Sequence, residues 1–309
     1  MRSLPVLVRV YLAFVLFSLG GTALQVFGGL DPGPIAPVAA VLTLALGVMA
    51  VMSGPTRTSP PAPISTGLER GKLWASVAVL VLGIVAEICG LYTGLPFGQY
   101  RYTDAWWPTI PLPGGHVFPV MLPFAWVLIV VGATVALSRW FDGIRLGLMV
   151  GLLASAIDFF KEPVLTQALG YWKWTDPNWP LGEGLFGVPL LNALGWFVVA
   201  TLGALTFEAV RHSPLLRPHV PASDSLGGGG EGSGERSRRE LPSTPQSDAG
   251  ERESKSRAAT AVLAGHVLLM SGIGAMRGFP WMIAISVLAI AVIGWSAHRT
   301  PGPLVESQR

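Results

Sequence analysis

Long apolar runs, broken by short polar stretches, dominate the pattern of this chain. They recur at roughly residues 7–27, 35–53, 74–92, 118–138, 144–160, 187–208, 259–275 and 279–297. A helix that crosses a bilayer needs about 17–25 predominantly apolar residues. The pattern therefore predicts an all-α fold: a polytopic membrane helical bundle of about eight spans. Two spans carry the weakest pattern. The fifth is short and runs into Asp158-Phe159-Phe160-Lys161-Glu162-Pro163, and the seventh holds His266 and several glycines. The first run follows Arg2, is longer than a signal-peptide core and lacks a small-x-small cleavage site, so it is read as a retained helix.

Charge orients the bundle. With the N-terminus in the cytoplasm, loops 54–73, 139–143 and 209–258 and both termini lie inside. Of the 21 Lys and Arg residues, only Arg101, Lys161, Lys173 and Arg277 then fall outside. That is a positive-inside distribution, and it predicts a multi-pass protein of the inner (cytoplasmic) membrane. Composition agrees, with 51% hydrophobic and 13% charged residues. The net charge of +3 gathers on the inner loops and reads as topology and attraction to lipid headgroups, not as nucleic-acid binding. The single Cys89 excludes an internal disulfide.

Composition also divides the chain. Residues 1–73 hold two spans and an inner loop, and 74–213 hold four spans with two long outer loops. Residues 214–258, with GGGGEGSGERSRRE, read as a disordered basic linker, because such a stretch cannot bury a core. Residues 259–309 form a two-helix hairpin and tail, whose apolar runs hold no carboxylate; it is read as packing or an accessory element.

The four central spans carry a duplication. Residues 98–108, GQYRYTDAWWP, and 170–180, GYWKWTDPNWP, share Gly, Thr, Asp, Trp and Pro without gaps. Each has an aromatic-basic-aromatic core, Tyr100-Arg101-Tyr102 and Trp172-Lys173-Trp174. Each follows an apolar span bearing a carboxylate, Glu87 or Asp158. Each leads through a proline to a tryptophan, Pro119 to Trp126 and Pro189 to Trp196. The expectation is an internal parallel repeat, spans three-four and five-six, about an axis along the membrane normal, with both motifs on the outer face.

A carboxylate inside an apolar span is costly and is a functional hypothesis by default. Glu87 and Asp158 are the candidate acid and base; bracing of the loops through Arg101, Lys161 or Lys173 is the alternative. Glu162, one turn after Asp158, is a secondary candidate. Asp104 and Asp176 are further candidates, for which loop capping is the simpler reading. Tyr100, Tyr102, Trp126, Trp172, Trp174 and Trp196 suit an aromatic slot for a long polyene, and their ring faces can stabilise a cation. Thr93 and Asn192 are candidates to orient a water. The five histidines show no metal-ligand spacing, and no dinucleotide or diphosphate motif is present, so neither metal nor cofactor is expected.

The stretches EICGLYTGLPFGQYRY (87–102), Asp158 to Pro163, GYWKW (170–174) and FGVPLLNALGW (186–196) resemble the membrane carotenoid-biosynthesis hydratase family, of the γ-carotene 1′,2′-hydratase and bisanhydrobacterioruberin hydratase type. The resemblance covers about residues 75–210. It implies a cofactor-independent hydro-lyase that adds water to the terminal double bond of an acyclic carotenoid end group, as in lycopene or γ-carotene. On that reading Asp158 donates the proton and Glu87 holds and deprotonates water, with the reverse assignment as the alternative. Tyr100, Tyr102, Trp172 and Trp174 shelter the cation. The expected partners are the carotenoid, the lipid bilayer and other enzymes of the same pathway. A carotenoid cyclase, and a non-catalytic carotenoid carrier or small-molecule transporter, are the rival readings.

Overall fold

The computed structural model describes residues 4–31, 33, 35–53, 66–213 and 245–298. Among these the chain is overwhelmingly helical. Helices α1 (Val6–Gly28), α2 (Ile35–Met52) and α3 (Thr66–Thr93) precede the first motif. A broken helix follows, α4 (Leu122–Trp126) and α5 (Gly132–Leu137), joined by a π turn at Val127–Val131. Then come α6 (Gly143–Pro163), with a π turn at Val164–Ala168, and α7 (Leu190–Arg211), α8 (Pro245–Met276) and α9 (Met282–His298).

Six helical segments among the described residues are long and apolar enough to cross a membrane: Val6–Gly28, Ile35–Met52, Arg70–Thr93, Gly143–Ala168, Leu190–Arg211 and Ala249–Met276. The fourth and eighth runs of the sequence appear as shorter apolar helices, Leu122–Leu137 and Met282–Ala297. The two runs with the weakest sequence pattern, by contrast, are among the six. The fifth gains length because the helix runs on through Pro163. That residue lacks the backbone N–H needed to continue the α ladder, and the next turn widens to π. The seventh gains it because helix begins at Pro245, inside the stretch read as linker. Glu251 and Lys255 pair there at 2.6 Å, and Ser256 donates to the Ala136 carbonyl at 2.6 Å. Residues 214–244 of that linker lie outside the described residues.

Four short strands lie between helices, where the sequence reading expected only loops. β1 (Gln99–Tyr102) pairs antiparallel with β4 (Trp172–Asp176), and β2 (Thr109–Leu112) pairs with β3 (His116–Pro119). The aromatic-basic-aromatic pattern is strand alternation. Tyr100 and Trp172 are buried and Tyr102 and Trp174 half-buried, while Arg101 and Lys173 are exposed on the other face. The two motifs thus pair with each other, Tyr100 opposite Trp174, Arg101 opposite Lys173 and Tyr102 opposite Trp172.

Beneath this ribbon α3 packs on α7 and α6 on α7, while α8 packs against α1, α5 and α9. The glycines of the seventh run serve this contact: Gly265 and Gly272 lie against Tyr11, Leu12 and Leu19 of α1. Small residues let helix backbones approach in this way where lipid gives no hydrophobic drive to associate.

Candidate active site

Three carboxyls, Glu87, Asp158 and Glu162, are buried beneath the β1–β4 ribbon. Each is held differently.

Glu87 sits on α3 with both oxygens occupied. Oε2 accepts from the hydroxyls of Tyr100 and Tyr102, each at 2.7 Å, and Oε1 accepts from Trp126 Nε1 at 2.9 Å. The face of α3 that carries Glu87 makes room for these donors. Gly83 lies one turn before it, where an added Cβ would meet the Trp126 indole at 2.8 Å. Gly90 lies one turn after, and there the Tyr100 hydroxyl would be only 2.5 Å away. Burial, and then the neighbouring Glu87 carboxyl, hold the Tyr100 and Tyr102 phenols well above the usual tyrosine range. Burial raises Tyr171 in the same direction.

Glu162, at the end of α6, is bound by the other motif. Its Oε1 accepts from Trp172 Nε1 at 2.9 Å and from Trp174 Nε1 at 2.8 Å. Its Oε2 is buried without a hydrogen-bond partner. In hydrogen-bonding terms the counterpart of Glu87 is therefore Glu162: each carboxyl takes two donors from the aromatic positions of its own motif. Asp158, one turn earlier, belongs to a different set. Its Oδ2 accepts from Asn192 Nδ2 at 2.6 Å, and Lys161 Nζ stands 3.1 Å from Oδ1.

An aromatic layer joins the carboxyls. Trp126 and Trp196 stack with centroids 4.0 Å apart and planes at 13°, and Lys161 Nζ lies 4.1 Å over the Trp196 ring. Tyr100 meets Trp174 edge-on at 5.4 Å, and Tyr102 meets Trp172 at 5.9 Å. The result is a buried cluster of three acids and one base, walled by ring faces. Such a cluster can move a proton and shelter positive charge.

Most of the residues singled out from the sequence meet here: Glu87, Asp158, Glu162, Tyr100, Tyr102, Trp126, Trp172, Trp174, Asn192 and Trp196. Three stand apart from the carboxyls. The Thr93 hydroxyl closes the end of α3, donating to the Cys89 carbonyl at 2.7 Å and accepting from Leu95 N at 3.0 Å. Asp176 accepts from Asn178 N at 3.2 Å and Asp104 from the Thr109 hydroxyl at 3.2 Å, both within their own loops.

Lys161 is the member of the cluster that sequence reasoning undervalued. It was weighed only as a brace, although its three-residue spacing from Asp158 on one helix face signalled the pair. A second feature had no sequence signal. A cavity of about 520 Å³ lies beside the cluster, bounded by α1, α2, α6, α8 and the 104–107 loop. Lys161, Trp106 and Tyr171 line it; Trp106 also stacks on Tyr171 and Trp172, so its ring is a wall shared with the cluster.

No curated protein and no solved structure gives a significant match to this chain. A family model does, that described as carotenoid biosynthesis protein, over residues 38–223. That range contains both motifs, all three carboxyls, Lys161 and Asn192. An apolar helical bundle with a buried acid cluster is thus joined to a family assignment covering most of the chain: the protein belongs to the carotenoid biosynthesis protein family.

Proposed function

We propose that this protein is a carotenoid 1,2-hydratase, a cofactor-independent hydro-lyase acting on the acyclic end group of a carotenoid. The observation that carries the reading is the cluster itself, in which buried carboxyls and aromatic faces share one site. Hydration of a trisubstituted terminal alkene needs such a set. A carboxylic acid gives its proton to the CH carbon of the double bond, which leaves a tertiary cation on the neighbouring carbon. A water oxygen then bonds to that carbon, and a base takes the surplus proton, so the net change is the addition of one water.

Asp158 delivers the proton in this scheme, drawing it from the Lys161 ammonium paired with it at 3.1 Å, while Asn192 orients the carboxyl. Glu162 is the second candidate donor, because one of its oxygens is fixed by two indoles and the other is uncommitted. Glu87 receives the proton of the attacking water, passed through the hydroxyl of Tyr102 that already donates to it. The ring faces of Tyr100, Tyr102, Trp172 and Trp174 stabilise the intervening cation.

The fold on this reading is an eight-span bundle with two repeated hairpins, α3 with α4–α5 and α6 with α7. The β1–β4 register supports a two-fold axis between them, since Arg101 faces Lys173 and each inner aromatic faces an aromatic of the other copy. The positive-inside distribution supports cytoplasmic termini and motifs on the outer face.

The test is pigment analysis in a bacterial host that accumulates lycopene or γ-carotene. Expression should yield a more polar pigment heavier by one water. An isomer of unchanged mass would make the protein a cyclase. Unchanged pigment, with the protein present in the membrane, would remove the hydratase reading for these substrates.

A further inference from the structure

The cavity beside the acid cluster has walls that the family match does not cover. Residues 38–223 supply α6 and the aromatic loop, but α1 and α8 lie outside that range. From α1 come Phe17 and Gln25, from α8 come His266 and Met270, and Arg277 follows in the turn after α8.

We infer that this cavity is the binding site for the apolar end of the polyene, and that α1 and α8 determine which end group it accepts. The inference rests on the proposed function and deepens it. Its volume, about 520 Å³, lies within the range of about 300–1,000 Å³ typical of small-molecule sites. Its lining is mostly aliphatic and aromatic, as a hydrocarbon requires. Polar side chains are the minority of the lining, and several are already engaged: Ser18 with Thr43 at 3.2 Å and Asp104 with the Thr109 hydroxyl at 3.2 Å. Arg277 is held at the loop end by Gln25 Oε1 at 2.6 Å and by the Ala168 carbonyl at 3.3 Å. Lys161, in the last turn of α6, and His266 of α8 are the other charged or titratable side chains contributed by helices.

The way in also suits a lipid-dissolved substrate. Phe17 and Ile35, on the rim, are 60% and 64% exposed on the apolar outer surface of α1 and α2. In a membrane that surface faces acyl chains, so a polyene enters sideways and leaves its remaining length in the bilayer. Inside, the member of the acid cluster that reaches the cavity wall is Lys161, with Asp158 behind it at 3.1 Å. The reacting end group therefore approaches the acids past Lys161 and Trp106, the ring that stacks on Trp172 of the aromatic layer. The first helix of the C-terminal hairpin, read from sequence as packing or an accessory element, becomes one wall of the specificity pocket.

Full-length protein expressed in a lycopene-accumulating bacterium tests this with two readouts, pigment retained per purified protein and hydrated product in the cells. Wild type should retain pigment. Met270→Trp fills the cavity and should lower both readouts about tenfold or more at equal membrane level. Met270→Ala enlarges it and should retain pigment at least as well as wild type. Leu288→Trp, on the exposed face of α9, should leave both unchanged. Wild type that purifies with lipid but no pigment overturns the inference. So does Met270→Trp matching wild type in both readouts, which leaves the hydratase reading intact. Pigment retained by wild type and lost in Met270→Trp, with no product from either, sustains the cavity and overturns the hydratase reading instead.

Discussion

Glu87 and Glu162 are bound by the same kind of sequence and end in opposite states. Each lies near the end of an apolar helix, and each takes two donors from an aromatic-basic-aromatic strand. Trp126 then completes Glu87 with a third donor, so that neither oxygen is left over. Its stacked partner Trp196 makes no such bond to Glu162. It lies under Lys161 instead, and Glu162 keeps one oxygen uncommitted. One frame thus builds a closed carboxyl and an open one. A carboxyl with both oxygens engaged takes a proton only through its donors, as Glu87 does through Tyr102, whereas one with an oxygen free can exchange a proton directly. The α6 side, with Asp158 and Lys161 beside Glu162, is where the chemistry is expected to begin.

The largest effect should come from the open side. Glu162→Gln and Asp158→Asn each remove an acid that the mechanism uses, and general acid–base catalysis contributes about 10²–10⁴-fold. Product formation in the pigment host should fall by that order at unchanged membrane level. If both variants keep near-normal turnover, the α6 acids are structural.

Lys161→Met should be the next most damaging. Breaking one side of a buried pair costs about 3–5 kcal/mol, which a thermal-aggregation assay in detergent would register. Adding Asp158→Asn to the same chain removes the orphaned charge and should restore most of the stability, though not the activity. No recovery in the double variant would mean that Lys161 acts through packing on Trp196.

The amide variants sharpen the comparison most directly. In Glu162→Gln the amide oxygen can keep both indole bonds while its NH2 takes the uncommitted place, so stability should change little. In Glu87→Gln the NH2 must face a hydroxyl or an indole N–H, leaving buried donors unmet at about 1–3 kcal/mol. The apparent melting temperature should therefore drop for Glu87→Gln and not for Glu162→Gln. Equal melting temperatures would erase the distinction between closed and open carboxyls. Tyr100→Phe removes one of the three donors and should have the smallest effect, about 1 kcal/mol of stability with Glu87 still in place.

Much of this was legible locally. Charge-free runs of sufficient length mark the long helices, because a membrane-spanning helix answers mainly to the apolarity of its own residues. The segments on which the family resemblance is read, 87–102 and 186–196, are local too, and both lie within the matched range 38–223. Even the β1–β4 ribbon was present as alternation in Tyr-Arg-Tyr and Trp-Lys-Trp, hidden because runs of three or four residues between helices look like loop.

What the sequence determined by itself was therefore the helical framework, the family and the presence of acids among aromatics in two similar motifs. Only tertiary structure decided the rest. Matched spacing pointed to Asp158 as the counterpart of Glu87, yet the hydrogen bonds pair Glu87 with Glu162. The π turn beyond Pro163 carries the helical segment on to Ala168, which places Glu162 and not Asp158 at the distance from the helix end that Glu87 has from Thr93, and the apolar pattern does not encode that extension. The cavity is further still from the sequence. It is space left between α1, α2, α6 and α8, and the shape of a gap depends on how helices distant in the chain pack together, not on the pattern within any one of them.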